Sequence, residues 1–537
     1  MVDGFPAVER ILDPSFLLND FYTNTMSSFS ARFYIAHLYI WGAELFGVHY
    51  TFFIAYANIV RIFLTYIAAF FFAKELTRNT YAAVIATCIV SLTFFTDIPR
   101  TVGWGFITPE FSGHNLSLLF SLIGLTFFLQ KRLWAAVLLY ACAMIFHPVV
   151  TMHTLGFSFF ILLFTFDRRT YVDALKRPEL WFSFFILLVS FFASYIPLRQ
   201  ALSGHELLSA SEFVRILGDF RHPHHYIPTK FGAFGWIVFG TFVASFVVML
   251  YWLRDRLYHI RAIKAVLCYM GIMMVVGYVF VEVWPIKFVV TLIPYRSLYL
   301  FPLLYIGLLA YTMHEAYKNR DLLSFWLLHI PFLSFIFQST IFGWKYAYTL
   351  IIFFCVFFVV AARRFYNYSK QTNKDANHNL FENGIVLLVY IFAGFIFLFF
   401  SIIKLDVSIP NINDENHQIY KWLQNHSTPS DTLLVDSGTG VMPEKVRLLS
   451  RRSVVASEDF PFLEIYYKEW FDRFTAVFGS LEEQNGYLSS LSEEEIRGVC
   501  SKFGGTLIVC DARLVMFELV DTWQSEQKNI YLYECPE

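Results

Sequence analysis

A series of long, continuous apolar runs is the feature that most constrains how this chain of 537 residues can fold. Only 15% of the residues are charged, whereas soluble domains average about 25%. A membrane-spanning helix needs roughly 20 mainly apolar residues, and runs without alternation exclude a transmembrane β-barrel. The runs that we interpret as spans are 49–73, 80–96, 114–129, 133–147, 151–166, 180–198, 233–252, 263–283, 297–314, 322–340, 346–362 and 384–404.

The basic residues of the connecting loops are concentrated in alternate loops. One set of loops contains pairs such as Lys131 with Arg132 and Arg254 with Arg256, whereas the other set contains scattered cations. The positive-inside rule assigns the basic set to the cytoplasm. With twelve spans, both ends of the chain then lie outside the cytoplasm. We therefore predict an α-helical polytopic membrane protein that consists of an outer segment 1–48, a transmembrane part 49–404 and an extracytoplasmic α/β domain 405–537.

The outer segment 1–48 contains a further apolar stretch, residues 28–47, that includes Arg32 and Glu44. We interpret this stretch as an interfacial amphipathic helix, with a further span as the alternative. An outer position for the first segment requires a helix before it. We therefore expect an upstream helix that precedes Met1, unless 28–47 itself crosses the membrane.

Residues 405–537 are more polar than the rest of the chain and contain short strand-like and helical segments. The strand-like segments are TLLVDS, RSVVAS, TLIVCD and NIYLYE, and the helical ones are IYKWLQNH, 461–478 and 491–502. This pattern predicts a small α/β domain. The glycine turn DSGTG could bind phosphate, but it lacks a lysine and is more typical of an ordinary loop. Cys500 and Cys510 could form a disulfide in an oxidising compartment, which the sequence alone does not decide.

Polar residues that could carry chemistry collect in the outer segments. Asp13 and Asp20 belong to the first segment, although Asp13 before Pro14 is equally typical of a turn. Arg296 precedes the ninth span on the side where few cations occur, so an anionic partner is an alternative to simple snorkelling. The loop between the second and third spans contains Asp97, Arg100, Glu110 and His114.

Histidines and an arginine within a predicted span form a second set of candidates. His147 and His153, in HPVVTMH at a span end, are more typical of polar tips at the membrane interface than of ligands. The histidines of the loop HPHHY are interpreted as loop residues, so no metal site is predicted. Arg61 lies in the middle of a span, where a charge is costly and indicates a function or an ion pair.

The chain resembles the C-type (GT-C) membrane glycosyltransferases in three features. These are an acidic first outer loop with an amphipathic helix, ten or more spans and a small C-terminal extracytoplasmic domain. The motifs ILDPSFLLNDFYT, an HP after a span, and the tail motifs WLQNHSTPSDTLLV, RLLSRRSVVASEDFPF and YKEWFDRF are similar to an uncharacterised bacterial membrane family. This second resemblance covers most of the chain, whereas the GT-C resemblance is one of architecture.

The GT-C resemblance implies transfer of a sugar from a polyprenyl-phosphate donor to an envelope acceptor on the extracytoplasmic face of a bacterial inner membrane. It implies an acidic residue of the first outer loop as general base, in some members with a divalent cation. Asp20 and then Asp13 match that position, and an earlier acidic residue near Asp3 would lie upstream of Met1. The leaving phosphate needs fixed positive charge, so the substrate-binding and phosphate-binding candidates are Arg296, Arg100, Asp97, Glu110 and His114.

The alternative is a non-enzymatic membrane protein, namely a transporter, a flippase or an envelope scaffold. A transporter is expected to contain internal repeats with broken helices at matching positions, and the sequence shows no convincing repeat. The net charge of −1 without a basic excess disfavours nucleic-acid binding. The implied partners are therefore membrane lipid and a lipid-linked sugar. No cofactor and no oligomeric state follow from the residues.

Overall fold

The computed structural model describes residues 5–27, 29, 32–93, 111–319, 416–480, 487–524 and 529–536. The last three predicted spans lie outside these ranges, as do the candidate residues Asp97, Arg100 and Glu110. The described residues divide into two compact units. The first unit takes its residues from Met1–Ala55, Ser194–His222 and Val407–Glu537, and the second from Tyr56–Ala193 and Pro223–Asp406.

The chain is mostly helical up to residue 319. Its helices there are α1 Phe5–Leu12, α2 Phe21–Ser27, α3 Phe33–Phe46, α4 Tyr50–Thr77, α5 Thr80–Thr93, α6 Gly113–Leu129, α7 Leu133–Phe146, α8 Pro148–Thr165, α9 Arg168–Leu175, α10 Pro178–Leu202, α11 Ala210–Phe213, α12 Pro223–Tyr226, α13 Gly232–Leu253, α14 Ile260–Gly277, α15 Lys287–Leu292 and α16 Phe301–Lys318. Tighter or wider helical turns extend some of them, at Val214–Arg221, Pro228–Phe231, Tyr278–Val283 and Pro294–Leu300.

Five helical segments in the described ranges are long and apolar enough to cross a membrane. They are Tyr50–Thr77, Pro148–Thr165, Pro178–Leu202, Ile260–Val283 and Lys287–Lys318. Shorter apolar helices cover Thr80–Val90, Gly113–Leu129, Leu133–Phe146 and Phe242–Leu253. Each predicted apolar run up to residue 314 overlaps a helix of the described ranges. The chain is thus a helical multi-pass membrane protein, whereas the total of twelve spans stays a prediction.

The second unit is a helix bundle with a continuous apolar core. Close approach of α6 and α7 depends on Gly124, because a Cβ there would lie 2.5 Å from the Tyr140 ring. The outer face of α10 exposes Trp181, Phe182 and Phe185. An exposed apolar surface of this kind is typical of contact with lipid.

The two ends of this bundle differ in their polar contacts. At one end, Glu75 of α4 accepts hydrogen bonds from His259 at 2.9 Å and from Gln130 at 3.2 Å. Arg256, three residues before His259 in the sequence, forms an ion pair with Glu315. These contacts adjoin the basic loops that the positive-inside rule assigns to the cytoplasm. Because Gln130 follows the last residue of α6, the first turn of α6 lies at the opposite end.

The first unit contains a five-stranded mixed sheet. Its strands are β1 Thr432–Val435, β2 Ser453–Val454, β3 Leu507–Cys510, β4 Leu519–Gln524 and β5 Asn529–Glu534, in the order β2-β1-β3-β5-β4. β2, β1 and β3 are parallel, whereas β5 is antiparallel to both β3 and β4. Helices in this part of the chain are His417–His426, Pro443–Lys445, Tyr467–Phe478, Tyr487–Ser490 and Glu493–Phe503.

The first unit also contains a disulfide, between Cys500 and Cys535, with 6.0 Å between the Cα atoms. The pairing of Cys500 with Cys510 considered from the sequence is therefore wrong. Cys510 ends β3 as a buried free thiol. Cys500, on helix Glu493–Phe503, is bonded instead to Cys535, the residue that follows β5.

Within the stretch 28–47, residues Phe33–Phe46 form the helix α3. Its buried side contains Ile35, Tyr39 and Ile40, and its exposed residues include Trp41 and Leu45. Glu44 is also exposed. An exposed surface that mixes large apolar side chains with a charge is consistent with the predicted interfacial position, which stays a prediction.

Candidate functional site

Arg296 belongs to a polar cluster in the second unit. It lies in the helical turn Pro294–Leu300, just before α16. Its guanidinium Nη1 donates a hydrogen bond to Nε2 of His147 at 3.0 Å. Its Nε is buried and has no hydrogen-bond partner among the described residues. A guanidinium with a buried N–H normally has an anionic partner, and none of the ion pairs found within the described ranges includes Arg296.

His147 connects this arginine to the junction between α7 and α8. It is the N-cap of α8, with Pro148 at the first helical position, where proline is favourable. The backbone N–H of Val150 points at its Nδ1 from 3.3 Å. Both ring nitrogens thus face N–H donors, whereas a neutral imidazole has only one lone pair to accept with. The junction therefore contains more donors than acceptors, a surplus that an anionic oxygen would satisfy.

His114 is brought next to His147 by the absence of a side chain at Gly113. A Cβ at that glycine would lie 2.7 Å from the carbonyl oxygen of Phe146, so only glycine allows α6 to begin against the end of α7. The rings of His114 and His147 meet edge to face, with 5.1 Å between their centroids. The structure thus groups two of the predicted phosphate-binding residues, His114 and Arg296, through a histidine between them.

Arg61 is a further arginine of the second unit. It is 2% exposed in the middle of α4, and its Nε donates to Oδ1 of Asn58 at 2.8 Å. We call His114, His147 and Arg296 the Arg–His cluster. This cluster lies at the end of the bundle opposite the hydrogen bonds of Glu75, because His114 lies in the first turn of the helix that Gln130 follows.

Asp20, the first choice as general base, lies in the first unit and is fully buried. Its Oδ2 accepts from the backbone N–H of Thr23 at 2.7 Å and from Nε of Arg447 at 3.0 Å. Its Oδ1 accepts from the N–H of Val454 at 3.3 Å. A general base needs an oxygen within reach of the proton that it removes. Both carboxylate oxygens of Asp20 are occupied by internal donors, so its contacts describe a structural role.

The partner of Asp20, Arg447, is buried and also pairs with Asp459. Burial lowers the pKa of Arg447, but the charges of Asp20 and Asp459 outweigh this effect and raise that pKa above its ordinary value. This buried ion network joins the segment around α2 to the strand β2. Sequence reasoning missed it, because 427 positions separate Asp20 from Arg447 and no local pattern connects them.

Asp13, the second choice, is a turn residue. Its Oδ1 accepts from the backbone N–H of Ser15 at 3.0 Å and from the Ser15 hydroxyl at 2.6 Å. These hydrogen bonds lower the pKa of Asp13 below its ordinary value. A carboxylate with a lowered pKa is a weaker base. The contacts match the turn that was the competing interpretation of this residue.

No family model and no curated protein matches the chain. Among solved structures it is similar to ArnT from Cupriavidus metallidurans in the apo state, with 12% sequence identity and a TM-score of 0.38. The similarity covers 93% of this chain and 87% of that chain. Similarity of this degree does not assign an activity.

Proposed function

We propose that this chain is a membrane glycosyltransferase-like protein that binds a polyprenyl-phosphate-linked sugar on the extracytoplasmic face and transfers the sugar to an envelope acceptor. The observation that carries the proposal is the Arg–His cluster. Arg296 has a buried N–H without a partner among the described residues, and His147 faces donors on both ring nitrogens. Such a surplus of donors favours an oxyanion.

A phosphate suits this cluster because a guanidinium binds phosphate oxygens through parallel N–H donors. The helices that carry the cluster are apolar. A ligand with a phosphate head and a long hydrocarbon chain matches both properties. During sugar transfer the phosphate leaves with negative charge, and donors already in place stabilise that charge without reorganisation.

The extracytoplasmic face is proposed from two independent observations. The opposite end of the bundle adjoins the basic loops, which favours the cytoplasm for that end and the outside for the Arg–His cluster. The Cys500–Cys535 disulfide favours an oxidising compartment for the sheet of the first unit. A bacterial inner membrane, implied by the family resemblance, stays part of this proposal.

Asp20 and Asp13 are weak candidates for the general base, because their oxygens are occupied by the contacts described above. Asp97 and Glu110, the acidic candidates for substrate binding, lie outside the described residues. Arg100, in the same segment, stays a candidate for phosphate binding.

The experiment identifies the lipid that stays bound to the purified full-length chain, by native mass spectrometry. We expect a polyprenyl-phosphate sugar in the wild type. A hydrogen bond to a charged group contributes about 1.5–3 kcal/mol, so Arg296→Gln should retain roughly 10- to 100-fold less of it. Arg215→Gln is the matched control, since Arg215 is an exposed arginine of the first unit. Bulk phospholipid alone, equal in all three proteins, would contradict the proposal and favour a non-enzymatic membrane protein.

A further inference from the structure

His153 is a buried histidine in the bundle, and the proposed phosphate site does not use it. It lies on α8 and is 2% exposed. Its Nε2 lies 2.9 Å from the carbonyl oxygen of Leu292 and 3.2 Å from that of Ile293. Carbonyl oxygens only accept, so Nε2 carries the hydrogen. The Tyr269 hydroxyl then donates to Nδ1 at 3.1 Å, and a single neutral tautomer satisfies both ring nitrogens.

The two carbonyl groups belong to the turn that leads into Arg296. Ile293 has a φ of 48°, which is strained for a β-branched residue. Strained backbone persists only where surrounding contacts hold it. The carbonyl oxygen of Ile293 also accepts the backbone N–H of Arg296 at 2.8 Å. The same oxygen therefore contacts both His153 and the backbone of the arginine.

The position of His153 is itself fixed by close packing around Tyr269. A Cβ at Gly156 would lie 2.4 Å from the Tyr269 ring, so the glycine makes room for that ring. Phe157 and Phe160 contact the same ring edge to face, with centroid separations of 5.1 and 5.3 Å. A ring held on several sides keeps its hydroxyl aimed at His153.

We propose that His153 is a positioning residue for the phosphate site. His153 donates a hydrogen bond to the carbonyl oxygens of Leu292 and Ile293. This contact keeps the turn in place and thereby holds the guanidinium of Arg296 beside His147. His153 does not touch the phosphate and acts only through Arg296. The nature of the anion rests on the proposed function, whereas the support of the turn rests on the contacts of His153 alone.

A double-mutant cycle with purified full-length chain tests this proposal, with polyprenyl phosphate as the probe. Loss of the donor in His153→Leu should weaken binding about three- to tenfold. In the Arg296→Gln background His153→Leu should not weaken binding further, because the effects of substitutions at coupled residues are not additive. His153→Gln, which keeps an N–H donor, should recover part of the affinity. Ser158→Ala is the control, since it removes a buried hydrogen bond to Tyr140 from the same helix.

Hydrogen exchange of the Arg296 amide gives a second readout that needs no ligand. We expect faster exchange in His153→Leu than in the wild type or Ser158→Ala. A wild type that does not bind polyprenyl phosphate, together with faster exchange in His153→Leu, would overturn the proposed function and support the role of His153 in the turn. Additive losses in the cycle, or unchanged exchange in His153→Leu, would overturn the positioning role even where the wild type binds.

Discussion

Asp20 and Arg447 are both fully buried in the first unit, 3.0 Å apart, and Asp459 contacts the same guanidinium. Two carboxylates around one arginine compensate the buried charge. Removal of one partner from a buried ion pair is much more costly than loss of an exposed pair. The aspartate that most resembles a catalytic residue in the sequence is therefore a stability determinant by its contacts.

We predict that Asp20→Asn lowers the free energy of unfolding by about 3–5 kcal/mol, because it leaves Arg447 with one carboxylate fewer in a buried site. Chemical unfolding monitored by fluorescence of the buried Trp470 measures the effect in the same unit. Asp13→Asn is the control and should stay within about 0.5 kcal/mol of the wild type, because Asp13 is a surface turn residue. Unchanged stability with lost transfer activity in Asp20→Asn would contradict this structural role and favour Asp20 as the general base.

The candidate site could be predicted from the sequence only in part. Arg296 is a candidate because few cations occur on its side of the membrane, and His114 is a candidate because it belongs to a polar outer loop. His147 was interpreted as an interfacial tip, since its contact with Arg296 spans 149 positions and leaves no local pattern. The burial of Asp20 was missed for the same reason.

The start of α6 shows how a helix junction creates a site. Gly113 lets α6 begin against the last carbonyl group of α7, and His114 follows directly beside His147. The geometry of the Arg–His cluster thus depends on the absence of one Cβ atom.

We predict that Gly113→Ala weakens polyprenyl-phosphate binding, because the new Cβ would lie 2.7 Å from the Phe146 oxygen and force the helices apart. A displacement of about 1 Å can cost up to a hundredfold in a positioned site, so a loss of about tenfold or more is expected. A binding titration measures it. Gly271→Ala is the matched control, since nothing lies within 4 Å of its Cβ position. Equal affinity for both variants and the wild type would contradict this role of Gly113.

At the level of elements, the sequence predicted helices and strands well where burial imposes a pattern. The apolar runs up to residue 314 lie on helices in the described part of the chain, and four of the five strands were predicted because their residues are mostly buried. β4 was missed, since it is an edge strand whose residues are largely exposed and lack an apolar face. The order of the strands could not be predicted, because the pairings connect distant parts of the chain.

The three cysteines of the first unit are expected to differ in reactivity, because two form a disulfide and one is a buried free thiol. Burial raises the pKa of the Cys510 thiol to about 12. Since the thiolate is the reactive form, Cys510 should be inert at neutral pH while the protein is folded. Cys500 and Cys535 are already paired.

We predict that an alkylating reagent leaves Cys510 unmodified in the native chain and modifies it after unfolding without reductant. Cys500 and Cys535 should react only after reduction, because their sulfurs are joined. Peptide mapping by mass spectrometry measures all three positions. A peptide that links Cys500 to Cys510 would contradict the observed pairing.

The orientation of the whole molecule gives a fourth prediction. An introduced cysteine at Met516, which is 70% exposed, should react with a membrane-impermeant maleimide in intact spheroplasts. One at Asp255, in a basic loop, should react only after the membrane is permeabilised. The measurement is gel mobility of the labelled full-length chain. The reverse pattern would contradict the proposed extracytoplasmic face.

Photo-crosslinking of a lipid phosphate to the purified full-length chain tests the central claim most directly. The probe is a polyprenyl phosphate with a diazirine in its first isoprene unit, so that the reactive carbon stays near the phosphate. We predict that the label maps to peptides that contain His147 and Arg296, that unlabelled polyprenyl phosphate competes for it, and that Arg296→Gln loses it. Labelling confined to other helices, or equal labelling of wild type and Arg296→Gln, would contradict a phosphate site at the Arg–His cluster.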